Sequence, residues 1–162
     1  ALKALADPKG KQVDCGRVSF LKRGSFMWVR LPSGRPLCYP FPHISDKEMP
    51  WKEKNGKPAV KATFTYKAEY NRQFVDSYAY GGLWAENVTQ ATARDLLADA
   101  LKCLELEGYP VVAPAHDEVV AEVSEGAGSV ESFCTIMSNA STWAAGCPIS
   151  AAGWRGTRYR KG

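Results

Sequence analysis

The sequence predicts an α+β fold in which an antiparallel β-sheet with a projecting hairpin packs against helices. Three observations carry that expectation. Two apolar runs flank a Pro-Ser-Gly turn at 25–40, residues 60–67 alternate with a two-residue period, and a long helical stripe at 87–108 precedes two short apolar runs broken by His116-Asp117-Glu118. The 162 residues are 45% hydrophobic and 23% charged, the make-up of an ordinary globular chain able to bury one core, so 1–162 is expected as a single domain.

The opening ALKALADPKGK has neither a helix nor a strand signal of its own. It starts on alanine rather than methionine, which is expected of a piece cut from something longer. In "SFMWVRLPSGRPLCYP" (25–40), Pro32 fixes one turn dihedral and Gly34 allows a positive φ, which predicts a β-hairpin. "PFPHISDKEMPWKEKNGKP" is rich in Pro and Lys and carries Asn-Gly, so 41–58 is expected as a flexible polar loop. In "AVKATFTYKA", Val60, Ala62, Phe64 and Tyr66 alternate with Lys61, Thr63, Thr65 and Lys67, the pattern of a strand with one buried face.

"ENVTQATARDLLADALKCLELEG" is the strongest helix. Val88, Ala93, Leu97, Ala100, Leu101 and Leu104 form one stripe, and Gly108 stands where a C-terminal cap belongs. Asn87 followed by Gln90 resembles a capping box, with a start one turn earlier also open. The runs 111–115 and 119–123 then read as two antiparallel strands with the acids at their bend. A second helix is expected over Ser129 to Trp143, with Phe133, Ile136, Met137 and Ala140 facing a core. The tail "PISAAGWRGTRYRKG" offers one more short strand and a basic end.

No run of 18 or more apolar residues and no signal-peptide pattern occurs, so a soluble, cytoplasmic protein with no membrane partner is expected. The five cysteines (15, 38, 103, 134 and 147) are scattered and never spaced as CxxC, which argues against a disulfide framework or a zinc cluster. They are expected to be reduced and mostly buried. The net charge of +4 hides a division: residues 1–35 hold eight bases against two acids and 154–162 hold four against none, while the middle holds nine against fifteen. Basic ends around an acidic middle suit a polyanion partner and a site that uses carboxylates, or else are solvated tails.

Along a regular strand, Asp117 and Glu118 would point to opposite faces, whereas at a bend both can reach outward. Three readings stand: a polar hairpin tip, a general acid/base pair, or a divalent-metal site. Mg²⁺ takes one or two protein carboxylates and leaves its other positions to water and substrate phosphates, as phosphoryl and nucleotidyl transfer require.

"AHDEVVAEV" resembles the third catalytic motif of the family A DNA polymerases, the DNA polymerase I type, where a His-Asp-Glu turn joins two strands of the palm. "VRLPSGRPLCYP" looks like that family's hairpin after the fingers, and "YAYGGLWAENVTQATARDLLADALKCLELEGYPVV" resembles its helix leading into the catalytic turn, in the wording of phage and prophage members. "FCTIMSNASTWAAGCPISAAGWRGTRYRKG" is similar to their C-terminus. The resemblance runs with gaps from about residue 25 to 162 and implies the C-terminal palm portion of a DNA-directed DNA polymerase.

On that resemblance, Asp117 would hold the catalytic Mg²⁺ ions of a two-metal site, Glu118 would be a secondary acid, and His116 would contact the primer end. Gln90 matches a position touching the DNA minor groove, and Asn87 and Arg94 lie on or near that surface. The implied partners are a primer-template DNA, a deoxynucleoside triphosphate in the full enzyme, and the remainder of the polymerase chain. The family's DYSxxELR-like motif, which supplies the other metal-binding aspartate, is absent. Asp7, Asp14, Asp46 and Asp76 all lack that context, and the fingers helix is missing too, so the chain alone is expected to be inactive. The alternatives are a non-catalytic DNA-binding module, a degenerate prophage remnant, and last a metal-dependent phosphodiesterase. None of the tryptophans is assigned to nucleic acid, since core and rim packing accounts for them. Pro114 should favour an edge or bulge beside the turn.

Overall fold

A computed structural model describes residues 1–7, 9–53, 56–139 and 141–159. The α+β class holds: nine strands pair antiparallel in three sheets, accompanied by three α-helices, among the described residues. The chain divides into two compact units, Ala1–Gln90 and Ala91–Gly162.

The first unit opens with α1 (Leu2–Ala6) and a four-stranded meander, β1 (Val13–Cys15), β2 (Val18–Arg23), β3 (Phe26–Arg30) and β4 (Pro36–Pro40). The β3–β4 hairpin is the expected one. Leu31 N–H donates to the Arg35 carbonyl across the turn, and Arg30 pairs with Pro36. The opening segment, expected to carry no element of its own, forms α1. Ala4 is fully buried, and it is tertiary packing that makes the opening helix worthwhile.

A three-stranded sheet follows: β5 (His43–Lys52), β6 (Pro58–Tyr70) and β7 (Gln73–Ala79). β5 occupies most of the segment expected as a flexible loop, and Lys54 and Asn55 of that segment lie outside the described residues. β5 is an edge strand, and its register shifts between Glu48 and Lys52, the interval that holds Pro50. An edge with a bulge is where proline costs no ladder bond, so Pro50 does not forbid the strand. The β6 alternation holds on its inner face, whereas Thr65, expected on the exposed face, is buried with its hydroxyl bonded to Ser45. Phe64 is buried and Tyr66 packs on the core, while Val60 and Ala62 run past it and are exposed. Between β6 and β7, Asn71 and Arg72 both take positive φ (50° and 62°), the requirement of a type I′ hairpin turn.

The core of this unit is Phe20, Met27, Val29, Tyr39, Phe64 and Ala79, with Leu83, Trp84 and Val88 packed against it. Trp84 meets the rings of Phe20, Tyr39 and Phe64 edge-on at centroid distances of 5.4, 4.6 and 5.0 Å. That burial explains why α2 (Gly81–Leu106) begins before Asn87: the apolar stripe extends back to Leu83 and Trp84. Asn87 is therefore inside the helix and caps nothing, which corrects the expected capping box.

In the second unit, α2 ends as its sequence indicates. Gly108 has φ +82°, its N–H donates to the Glu105 carbonyl and Tyr109 N–H donates to Leu104. This is the Schellman arrangement, sealed by the buried side chains of Leu104 and Tyr109. Strands β8 (Val111–Ala115) and β9 (Glu118–Ala121) pair antiparallel, and α3 (Val130–Ser138) starts on Ser129, whose hydroxyl accepts from Ser132 N–H at 3.0 Å. Phe133, Ile136 and Met137 are half-buried, while Ala140 lies outside the described residues.

α3 ends five residues short of the expected Trp143, where Asn139 turns extended (φ −77°, ψ 103°) with its N–H on the Ile136 carbonyl, and side chains hold the residues beyond. Ser138 Oγ accepts from Ala151 N–H at 2.9 Å, and Asp99 Oδ2 accepts from Ser141 Oγ at 2.7 Å and Trp143 Nε1 at 2.8 Å. A 3₁₀ turn, Thr142–Ala144, follows. No strand forms in the described part of the tail, contrary to expectation, and Arg160 and Lys161 of the basic end lie outside the described residues. The cysteines depart from expectation as well: Cys134 is half-buried and the other four are exposed. No helix among the described residues is long and apolar enough to cross a membrane.

Candidate metal and nucleic-acid site

Asp117 and Glu118 are adjacent in a chain that turns between them and their strand partner. Ala115 pairs with Glu118, leaving His116 and Asp117 as the two central residues of a tight hairpin. His116 has φ +56°, in the left-handed range. Histidine is among the non-glycine residues that tolerate this region best. His116, Asp117 and Glu118 are all exposed, so the bend presents one imidazole and two carboxylates to solvent. The expected bend between antiparallel strands is thus present. The predicted irregularity lies two residues before Pro114, which sits opposite Val119, and falls at Val112, where the register shifts between Val111 and Ala113.

Glu118 has a partner that the sequence did not suggest. Its Oε2 accepts a hydrogen bond from Tyr159 Oη at 2.9 Å, bringing the tail to the β9 side of the turn across 41 positions. The bond to Glu118, reinforced by the carboxylate's charge, raises the Tyr159 phenol pKa above its ordinary 10.0, because both favour the neutral phenol. The tail is tethered further by Arg155, whose guanidinium donates to the carbonyls of Ser124 at 3.3 Å and Gly128 at 3.4 Å. Only the aromatic-basic composition of 154–162 hinted at a role, and composition cannot identify Glu118 as the partner.

A divalent hard cation could use this turn only in part. No group of three or more His, Cys, Asp or Glu side chains is placed to hold a metal among the described residues. Two exposed carboxylates suit Mg²⁺, which needs one or two and fills its octahedron with water and phosphate oxygens, and they do not suit a closed all-protein cage.

The residues expected to meet DNA are distributed along α2. Gln90 is exposed and its Nε2 donates to Glu86 Oε1 at 3.2 Å, one helical turn back. Arg94 is exposed in the second unit. Asn87 differs: it is half-buried and its Nδ2 donates to Tyr39 Oη at 3.0 Å, tying α2 to β4. Burial pushes the Tyr39 phenol up from 10.0, with the Asn87 bond opposing it. Asp76, the nearest imitation of a second catalytic aspartate, lies inside β7 and pairs with Lys67 at 2.9 Å, a structural ion pair.

Comparison with known proteins places the chain beside one kind of enzyme. It is 35% identical over 161 residues to a DNA polymerase of Bacillus phage SP02, a stretch that takes in 99% of this chain and 24% of that relative. The chain therefore spans about a quarter of the relative's length and is related to a DNA polymerase. No family model and no solved structure matches it.

Proposed function

We propose that this chain is the C-terminal palm portion of a family A DNA polymerase, contributing the His-Asp-Glu turn and a DNA-contacting helix surface to template-directed nucleotidyl transfer. The observation that carries this reading is the exposed His116-Asp117 turn, with exposed Glu118 opening β9 directly after it, in a chain similar along nearly its whole length to a phage DNA polymerase. Asp117, at the tip, would hold Mg²⁺, and Glu118 would serve as the secondary acid, oriented by the Tyr159 phenol. The metal pair, when bound, lowers the pKa of the primer 3′ hydroxyl and neutralises charge on the phosphate. His116, held in its left-handed conformation, projects beside the acids toward a primer end. Gln90 and Arg94 offer exposed hydrogen-bond donors to the duplex, while Asn87 acts at one remove by holding α2 on β4.

A two-metal centre needs carboxylates on both sides of the ion pair. This chain offers one side, so it is inactive without the remainder of the polymerase. The test is a Mn²⁺ titration of the isotopically labelled chain with primer-template DNA bound. Selective broadening of the amide signals of 116–118, absent in Asp117→Asn, is expected. Uniform or no broadening would count against the metal role, and steady primer extension by this chain, abolished by Asp117→Ala, would overturn the inactivity.

A second reading, a non-catalytic DNA-binding module, is favoured by one observation: Glu118 already accepts a bond from Tyr159. DNA binding that ignores both Mg²⁺ and Asp117→Ala would select it.

A further inference from the structure

The three-stranded sheet has a face with no role so far. Its inner face, with Phe64, Tyr66 and Ala79, packs on the core. Register and alternation place Lys47 of β5, Lys61 and Lys67 of β6, and Phe74, Asp76 and Tyr78 of β7 on the outer face, with Thr65 among them covered and its hydroxyl bonded to Ser45. Here three large aromatics stay in solvent: Trp51 is 50% exposed, Phe74 70% and Tyr78 39%. Lys47 Nζ lies 4.0 Å from the Tyr78 ring centroid, and Lys61 Nζ lies 5.2 Å from that of Trp51.

Two features resist a purely structural account. Lys47 and Lys61 are direct cross-strand partners, and like charges in that position destabilise a sheet. Lysine on an edge strand can be explained as protection against strand pairing, which would cover Lys47, but Lys61 is on the central strand. The second feature is that the Trp51 and Tyr78 rings stay in solvent beside these cations. A pair of cations that an anion would bridge, flanked by flat faces already held by cation–π contacts, has the chemistry of a single-strand platform: phosphate on lysine, base on ring. Because Thr65, opposite Tyr78, is buried, the accessible run goes from the Tyr78 ring across Lys47 and Lys61 to the Trp51 ring.

We propose that the outer face of the β5–β6–β7 sheet binds single-stranded nucleic acid, with Lys47 and Lys61 on its phosphates and Trp51 and Tyr78 stacked on its bases. This surface uses none of the residues of the His-Asp-Glu turn, and it gives Trp51 a contact that its sequence context did not suggest. It binds with little base preference, because stacking reads every base and the lysines read only phosphate.

The test is fluorescence anisotropy of a labelled thymidine oligonucleotide across a salt series, with the intact chain. The single strand is expected to bind at least tenfold tighter than a duplex of equal length. Lys47→Glu/Lys61→Glu should weaken it more than tenfold and flatten the salt dependence by about 1.4, at about 0.7 per phosphate contact. Trp51→Ala should weaken it about tenfold with the salt slope unchanged. Lys9→Glu/Lys11→Glu, the same charge change on exposed residues outside this sheet, should cost less than twofold. Should the double sheet variant fail to fold, as judged by near-UV circular dichroism, Lys61→Gln reads the same contact. The proposal is overturned if the control variant loses as much as the sheet variant, if Trp51→Ala binds normally, or if polyglutamate competes as well as unlabelled single strand. Asp117→Ala is measured in parallel and should leave this binding intact, so failure here and failure of the metal site are separable.

Discussion

Asp99 provides the sharpest test of how the second unit is held together. Its Oδ2 accepts from Ser141 Oγ at 2.7 Å and Trp143 Nε1 at 2.8 Å, and Lys102 Nζ lies 3.3 Å from Oδ1. The Lys102 contact is solvent-screened, with that side chain 75% exposed, and adds little. Each charge-assisted hydrogen bond contributes about 1.5–3 kcal/mol when sheltered. The Asp99 side chain is 30% exposed, so water recovers part of both. Asp99→Ala should therefore cost about 2 kcal/mol, roughly a thirtyfold rise in the opening constant, and Asp99→Asn, which retains an acceptor oxygen, about 1 kcal/mol.

The pH dependence has a definite sign. Hydrogen bonds from Ser141 and then Trp143 hold the Asp99 carboxyl below its ordinary 3.8, so folding favours the ionised form. The stabilisation is fully present above that ordinary value and is lost as pH falls through the lower folded one. Native-state exchange of the Trp143 indole N–H, followed by NMR, reports the local opening directly. Protection should drop about thirtyfold in Asp99→Ala at neutral pH, and the gap between wild type and Asp99→Asn should close in acid. An unchanged indole exchange rate in Asp99→Ala, with unfolding free energy within about 0.5 kcal/mol of wild type, would refute the clamp.

Other outcomes follow from single contacts. Gly128 has φ +64°, and an added Cβ would stand 2.7 Å from the Tyr109 ring, so Gly128→Ala should destabilise the second unit by about 2 kcal/mol or more in urea unfolding. Leu104 is fully buried and closes the helix cap against Tyr109; Leu104→Ala should cost about 3 kcal/mol by the same measurement. The Tyr159 phenol, raised by Glu118, keeps its bond at neutral pH and loses it as pH rises through its elevated pKa. Glu118→Gln should return the Tyr159 titration, read by ring carbon shifts, to the ordinary range, and an unmoved titration would show that the contact does not persist in solution.

Much of the architecture was legible wherever local chemistry decides it. The Pro32–Gly34 turn, the cap at Gly108 and the alternation through Phe64 and Tyr66 each depend on residues within a few positions, and each appears as expected. The bend at His116-Asp117 was equally readable, because two short apolar runs leave no other place to turn. β5 was misread as a loop because its Pro50 is tolerable only at an edge or bulge, and edge position is a property of the assembled sheet. The start of α2 was placed too late because the three rings that bury Trp84 come from β2, β4 and β6.

The same division runs through the functional residues. From sequence alone came the identity of the acidic turn, the exposed Gln90 and Arg94, and the resemblance that gave them roles, since these rest on residue type and order. Tertiary structure decided that Asn87 is occupied by Tyr39, that Asp76 is neutralised by Lys67, that Tyr159 reaches Glu118, and that Lys47 and Lys61 meet beside exposed aromatics. Each of these joins side chains from different elements, and short-range periodicity carries no information about which strand or helix will lie opposite another.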